Sequence, residues 1–275
     1  MKKLNANEPK DIVIIGDYTP VQIYQHYIIR EVREIGCKGK WSKGAPNILS
    51  YSIDIAEIRK LRDAKNWGEI GRILYGYVDR LFKVGNIGSL VIANYSLELA
   101  ADYMIEAANN KTIGHEINRA LVRSIDTTAD EIKKSDVKQA VLLGNPFEEY
   151  RQRLSELSGA EIILPNQDIM QYIHGVIANN SVEFYKYDIC DRYASLIHND
   201  DVECIINGAP QLVEISANSP ESKDDRHASG KLTHLRVPPV GGNAKDFESY
   251  KSAWLFNTPI IHTNAIMNEY MKQYQ

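Results

Sequence analysis

The sequence predicts an α/β protein: parallel sheets flanked by helices, arranged as two similar lobes. Three observations predict it. Short apolar runs recur, each followed by a segment of helical periodicity, which is the pattern of a parallel sheet covered on both faces. The second half of the chain repeats the alternation of the first. At 275 residues the chain is long for one layered domain and comfortable for two.

In the first half the apolar runs place strands at Asp11–Gly16, Asn47–Ser52 and Ser89–Asn94. The periodic segments place helices near Val21–Ile35, Ile55–Asp63, Trp67–Val84 and Leu97–Asn109. In the second half strands are expected at Gln139–Gly144, Glu161–Leu164 and Glu203–Ile206. Helices are expected near Ile117–Ser135, Phe147–Ser158, Gln167–Asn180 and Phe184–Asn199. A last strand, Pro259–His262, and a last helix, Asn264–Tyr274, return to the first lobe, so the lobes are expected at 1–113 with 258–275 and at 114–257. The stretch Gln211–Thr258 stands apart: it contains NSPESKDDRHASGKLTHLRVPPVGGN and is too rich in Gly, Pro and charge for a buried strand. Long irregular segments in compact enzymes tend to be lids, oligomer arms or disordered loops, and this one reads as a surface loop or a lid. As a lid, this one can bring His227, His234 and Arg236 to a site.

Composition narrows the partners. Lys and Arg total 32 against 36 Asp and Glu, a net charge of −4, so nothing draws the chain to a nucleic-acid backbone or an anionic membrane. Small polar molecules are the expected partners. No run approaches the roughly 18 apolar residues that span a bilayer, and the start, MKKLNANEPKD, carries no apolar stretch behind its lysines, so a cytoplasmic location is expected. Cys37, Cys190 and Cys204 are odd in number and scattered, without zinc-ligand spacing, and read as free thiols, Cys204 within a strand. The histidines show neither HExxH nor HxH spacing. No metal and no cofactor are expected, and His26, His174, His198 and His262 are assigned structural or surface roles. His115 falls near the junction of the lobes.

Ligands of open α/β sheets gather beyond the carboxyl ends of the strands. Those ends here are Gly16-Asp17-Tyr18-Thr19-Pro20, Tyr51-Ser52-Ile53-Asp54, Ala93-Asn94-Tyr95-Ser96, Gly144-Asn145-Pro146 and Asn207-Gly208-Ala209-Pro210. Several precede helices, whose unpaired amides favour a carboxylate. Tyr18, Thr19, Tyr51, Ser52, Asn94, Tyr95 and Ser96 offer polar contacts of the kind that bind carboxylates and amines, although turn and cap chemistry explains such residues as well. Arg72, in the helical pattern GEIGRILYGYVDRLF, can reach a substrate carboxylate or serve as a solvated helix-face cation.

The order of these segments resembles the aspartate/glutamate racemases. DIVIIGDYTP resembles their first strand and turn, with Asp17 where a second glycine is common, and PNILSYSIDIAEIRKLRDAKNW resembles the next strand and helix. SLVIANYSLELAADYMIEA, VKQAVLLGNPF and PIIHTNAIMNEYMKQY continue the match to the C-terminus. The resemblance implies a cleft between the lobes that binds an amino acid, and a homodimer. That family holds the substrate α-carbon between two cysteines, one per lobe. Aligned on it, this chain has Ala93 at the first cysteine and Gly208 at the second, followed by Ala209 and Pro210. Neither can move a proton.

Glu98 falls where many members carry a histidine just after the first cysteine, at the start of a helix, where a carboxylate can be a general acid/base. The helix dipole alone also favours an acid there. Three functions follow: a repurposed acid/base enzyme on an amino acid, an amino-acid-binding pseudoenzyme, and a racemase with other bases. For the first, Pictet–Spengler condensation of a tryptophan-like amine with an aldehyde fits, a similarity to cofactor-independent bacterial β-carboline-forming enzymes that no motif carries. Ala93 and Gly208 are expected to make room for the indole.

Overall fold

The computed structural model describes residues 9–41, 44–108, 111–145, 147–179, 192, 195–196, 204–212, 232–237 and 251–272. Its elements run β1 (Asp11–Gly16), α1 (Tyr18–Cys37), β2 (Ile48–Ser52), α2 (Ile55–Asp63), α3 (Trp67–Val84) and β3 (Ile87–Ile92). A 3-10 turn (Tyr95–Ala100) leads into α4 (Ala101–Glu106), α5 (Lys111–Ala120) and β4 (Leu121–Val122). Then follow α6 (Ser124–Lys134), β5 (Gln139–Leu143), α7 (Glu148–Ser158), β6 (Glu161–Ile163), α8 (Gln167–Ala178) and β7 (Cys204–Asn207). A short 3-10 turn (Pro210–Leu212), β8 (Leu232–Val237), β9 (Lys251–Phe256) and α9 (Thr258–Lys272) complete the chain. Two compact units result, Met1–Arg123 with His262–Gln275, and Ser124–Ile261.

The first unit holds a parallel sheet of order β2-β1-β3-β4. β1 and β3 are buried along almost their whole length, as strands covered on both faces must be. Side chains alternate across a strand, so Val13, Ile15, Leu90 and Ile92 share one face, where they pack with Ile58 of α2 and Ile70, Leu74 and Val78 of α3. Ile12, Ile14 and Val91 take the other face, and α1 packs on the sheet through Val21, Tyr24 and Ile28. Cap residues set the helix starts: Asp54 accepts from Ala56 N, and Asn66 from Glu69 N. The Tyr270 hydroxyl donates to Lys10 O at 2.8 Å, which ties the end of α9 to the start of β1.

The second unit repeats the scheme with the order β6-β5-β7-β9-β8, the first four strands parallel and β8 antiparallel at the edge. Val141, Leu143, Ile205 and Leu255 pack with Ile169, Ile173 and Val176 of α8. Asn166 caps α8 through Ile169 N, and Gly159, at φ 74°, ends α7 in the left-handed region that glycine adopts without steric cost. Cys204 lies in β7 and is buried, the place of a strand residue.

The predicted fold class holds, and four elements differ from expectation. Pro259–His262 is the first part of α9 and not a strand: Ile260 N and Ile261 N donate to Asn257 O, and proline is tolerated in a first helical turn, where its missing N–H has no helical acceptor. The expected helix Ile117–Ser135 is broken, because Leu121 and Val122 pair with Leu90 and Val91 as β4 before α6 begins at Ser124. The expected helix Leu97–Asn109 opens as a 3-10 turn. Within Gln211–Thr258, expected to hold no buried strand, β8 and β9 form an antiparallel pair. Most of the expected helix Phe184–Asn199, together with Cys190, His198 and His227, lies outside the described residues. His234 and Arg236 stand on β8.

Candidate functional site

At the carboxyl edge of the first sheet, the register sets Ser52 beside Gly16, and Ala93 N donates to Ile15 O at 2.8 Å. Asn94 Oδ1 accepts from Asp17 N at 2.6 Å and so fastens the end of β3 to the turn after β1. The crossing is tight: a Cβ on Gly16 would stand 2.5 Å from Asn94 Oδ1 and 3.1 Å from Ala93 Cβ. Asp17 caps α1 through Tyr18 N and faces Arg59 at 3.8 Å. Tyr18, Tyr51 and Ser52 are exposed on this edge, while Thr19, Asn94 and Ser96 are partly buried. The Tyr51 ring meets that of Tyr77 of α3 at 5.3 Å. Arg72 lies on the exposed side of α3 in an ion pair with Glu69 at 2.7 Å.

The 3-10 turn after this edge carries Tyr95 and Glu98, both buried, at 2 % and 4 % exposure. Among the described residues Glu98 is the one acidic residue buried as a whole, while Glu149 buries its Oε2. Tyr95 joins a polar group inside the first unit that the sequence had not singled out. Its hydroxyl lies 3.0 Å from that of Tyr24 of α1, and the Tyr24 hydroxyl lies 2.7 Å from Nδ1 of His262. Nε2 of His262 lies 2.8 Å from Val122 O. His262 is wholly buried, and desolvation pushes its pKa down to about 4, against the smaller opposing effect of the bond to Val122. The imidazole is therefore neutral near pH 7. A carbonyl only accepts, so the single ring proton sits on Nε2 and points at Val122. Tyr24 and His262 had no motif to mark them. They are distant in sequence and meet only through folding.

The second unit repeats the strand-end geometry. Gly208 N donates to Leu143 O at 2.6 Å, and Leu143 precedes Gly144 as Ile15 precedes Gly16. Ala93 and Gly208 are thus structural counterparts, each the first residue beyond the third-ordered strand of its sheet. Both are buried, and so is Ala209. The expected room for an indole is not found at Gly208: an added Cβ would meet Leu143 O at 2.6 Å and Leu142 Cδ1 at 2.7 Å. Backbone has closed around the missing side chain. Asn145, beside it at the end of β5, accepts from Phe147 N through Oδ1, while its buried Nδ2 has no hydrogen-bond partner, a donor to which an acceptor would bind. Among the described residues no cluster of His, Cys, Asp or Glu could hold a metal ion, and no helix is long and apolar enough to cross a membrane.

No protein-family model and no curated protein sequence matches the chain. Solved structures do. An aspartate racemase homologue from Pyrococcus horikoshii is 21 % identical at a TM-score of 0.59, over 95 % of this chain and 99 % of that one. An Asp/Glu racemase, described as putative, from Yersinia pestis is 19 % identical at 0.62, over 95 % and 99 %. An aspartate racemase from Picrophilus torridus is 14 % identical at 0.58, over 96 % and 99 %. With both of its sheets ordered and paired as described, the chain has the fold of the aspartate/glutamate racemases.

Proposed function

We propose that this protein is a cysteine-independent acid/base enzyme acting on an amino acid, with Glu98 as its proton carrier. One observation carries the reading: the counterpart strand-end positions hold Ala93 and Gly208, which cannot ionise, while Glu98, the one acidic residue buried as a whole among the described residues, follows five residues after Ala93. The fold supports an amino acid as substrate class. Racemisation needs two carriers on opposite faces of one carbon, and a single carboxyl does not supply them.

A condensation that lends one proton and recovers it needs only one. In the Pictet–Spengler reaction of a tryptophan-like amine with an aldehyde, the amine nitrogen adds to the carbonyl carbon. Protonated Glu98 gives its proton to the carbinolamine hydroxyl, which leaves as water as the iminium forms. The indole carbon then bonds to the iminium carbon, and the displaced ring proton returns to the Glu98 carboxylate. The cycle closes on one side chain. Asn94, Tyr18, Ser52 and Tyr51, on the same strand-end edge, are the groups that would orient the amino acid. Space for the indole has to come from this edge, since Gly208 provides none.

The test is mass spectrometry of reactions with tryptophan and simple aldehydes. Glu98→Gln keeps size and hydrogen bonding, so turnover should fall by about a hundredfold or more while amino-acid binding persists. Equal rates in wild type and variant would remove Glu98 from the chemistry. Amino-acid binding with no product would leave a binding protein.

A further inference from the structure

We propose that the open edge of β2 is an interface between two copies of this chain, which pair their β2 strands antiparallel about a two-fold axis at Ser50 and so join their first sheets into one.

β2 ends the order β2-β1-β3-β4, and among the described residues it pairs with β1 alone. The direction of its backbone groups follows from the bonds at its two ends. Asn47 O accepts from Ile12 N at 2.9 Å, and Ile53 N donates to Gly16 O at 2.8 Å. In a parallel ladder alternate residues turn both backbone groups to the same neighbour, so Leu49 and Tyr51, in phase with Asn47 and Ile53, turn theirs to β1. Ile48, Ser50 and Ser52 turn their N–H and C=O groups to the open side. Leu49 and Tyr51 are each 38 % exposed, and Ser50 and Ser52 are exposed beside them, which a strand covered at its edge would not be.

Proteins blunt such edges with charge, proline or brevity. The other described edges do so. β4 is two residues long, β6 is three and opens on Glu161, which accepts from Gln139, and β8 carries Arg236. β2, with the sequence ILSYS, has none of these devices.

The strand is complementary to itself. A two-fold axis sets like groups near like, so a charged strand would repel its own copy, and β2 is uncharged. Centred on Ser50, the pairing uses every outward group: Ser50 exchanges both bonds with the partner's Ser50, and Ile48 with the partner's Ser52. The same register lays Leu49 opposite the partner's Tyr51, in a non-hydrogen-bonded pair, where side chains stand closest. Leu49 and Tyr51 share the face of Val13 and Ile15, on which the Tyr51 ring already meets that of Tyr77 of α3. Both exposed apolar side chains of the strand are thereby covered. Neither the pairing nor its test depends on Glu98 or on the substrate.

Sedimentation equilibrium of the whole chain should give twice the 31.2 kDa of one copy. Leu49→Glu sets a charge against the partner's Tyr51, and Ser50→Lys sets two like charges face to face. Both positions lie outside the proposed substrate contacts, and each variant should weaken association roughly tenfold or more with an unchanged circular dichroism spectrum. Cross-linking reads the register. Cα atoms of a hydrogen-bonded antiparallel pair stand about 5.5 Å apart, within disulfide reach, so Ser50→Cys should give a covalent dimer on mild oxidation. It is made in a Cys37→Ser background, because Cys37 is an exposed thiol, and that background alone should not cross-link. A chain that sediments as a monomer at micromolar concentration overturns the proposal. So does a dimer that both charged variants leave intact and Ser50→Cys does not cross-link, since its interface then lies elsewhere. Should a charged variant misfold, the cross-link decides, and its absence overturns the pairing.

Discussion

His262 stores pH-dependent stability at the scale of a single residue. Its folded pKa, near 4, lies below the ordinary value of 6.5 that it regains on unfolding, so between these values the unfolded chain binds a proton that the folded chain refuses. The contribution is complete above pH 6.5 and is lost as pH falls toward 4. At about 1.4 kcal/mol per unit the loss is on the order of 3 kcal/mol. His262→Gln does not titrate, so its stability should fall less steeply across this window. Urea unfolding of both proteins at pH 4.5, 5.5 and 7 checks it, and parallel pH dependences would show that His262 is not the group responsible. The sequence reading assigned His262 a structural or surface role because no neighbour in the chain partners it. Tyr24 and Val122, which do, are far away in sequence.

Among elements, α3 carries three glycines, of which Gly71 and Gly76 have opposite consequence. A Cβ at Gly71 would stand 2.5 Å from Tyr103 Cβ, 2.7 Å from Tyr103 C and 2.8 Å from Met104 N, so α4 rests on this bare point of the helix. Gly76 is exposed and has nothing within 4 Å. Gly71→Ala is therefore expected to destabilise the protein by about 1–3 kcal/mol through overpacking. Gly76→Ala should stabilise it by about 1 kcal/mol, because alanine gives up less backbone freedom in a helix. Chemical denaturation of the two variants should move their midpoints in opposite directions. A Gly71→Ala midpoint equal to wild type would mean that α4 shifts at no cost. Elements were most legible where a cap and a long periodic run coincide, as at Asp54 and Asn66. β4 was illegible because two residues establish no period and only pairing with β3 makes them a strand.

For the whole molecule, the paired strand ends decide what chemistry is closed. With Ala93 and Gly208 as counterparts, the purified protein is expected not to racemise aspartate or glutamate above background, by chiral chromatography after long incubation. Enantiomer exchange that survives repurification would demand a different pair of bases. Reinstalling Ala93→Cys and Gly208→Cys together is expected to leave racemisation absent, because a Cβ at 208 meets Leu143 O at 2.6 Å and the second thiol has no place to stand. The remainder of Gln211–Thr258 belongs to the same scale: if it encloses substrate, protease cleavage within it should slow at saturating amino acid. Unchanged cleavage would leave it a surface segment.

The sequence alone determined the α/β class, the doubled plan, the strand ends that bear the polar residues, and the absence of ionisable groups at Ala93 and Gly208. These follow from local periodicity and residue identity, which need no knowledge of distant contacts. Tertiary structure decided the rest. Whether a carboxylate at a helix start is solvated or buried depends on what packs over it, and Glu98 is buried. Whether a missing side chain leaves space depends on how neighbouring backbone closes, and at Gly208 it closes fully. The direction of a hydrogen-bond chain depends on its terminal acceptor, and here Val122 and Tyr24, more than a hundred residues from His262 in the sequence, leave its ring one proton and one direction.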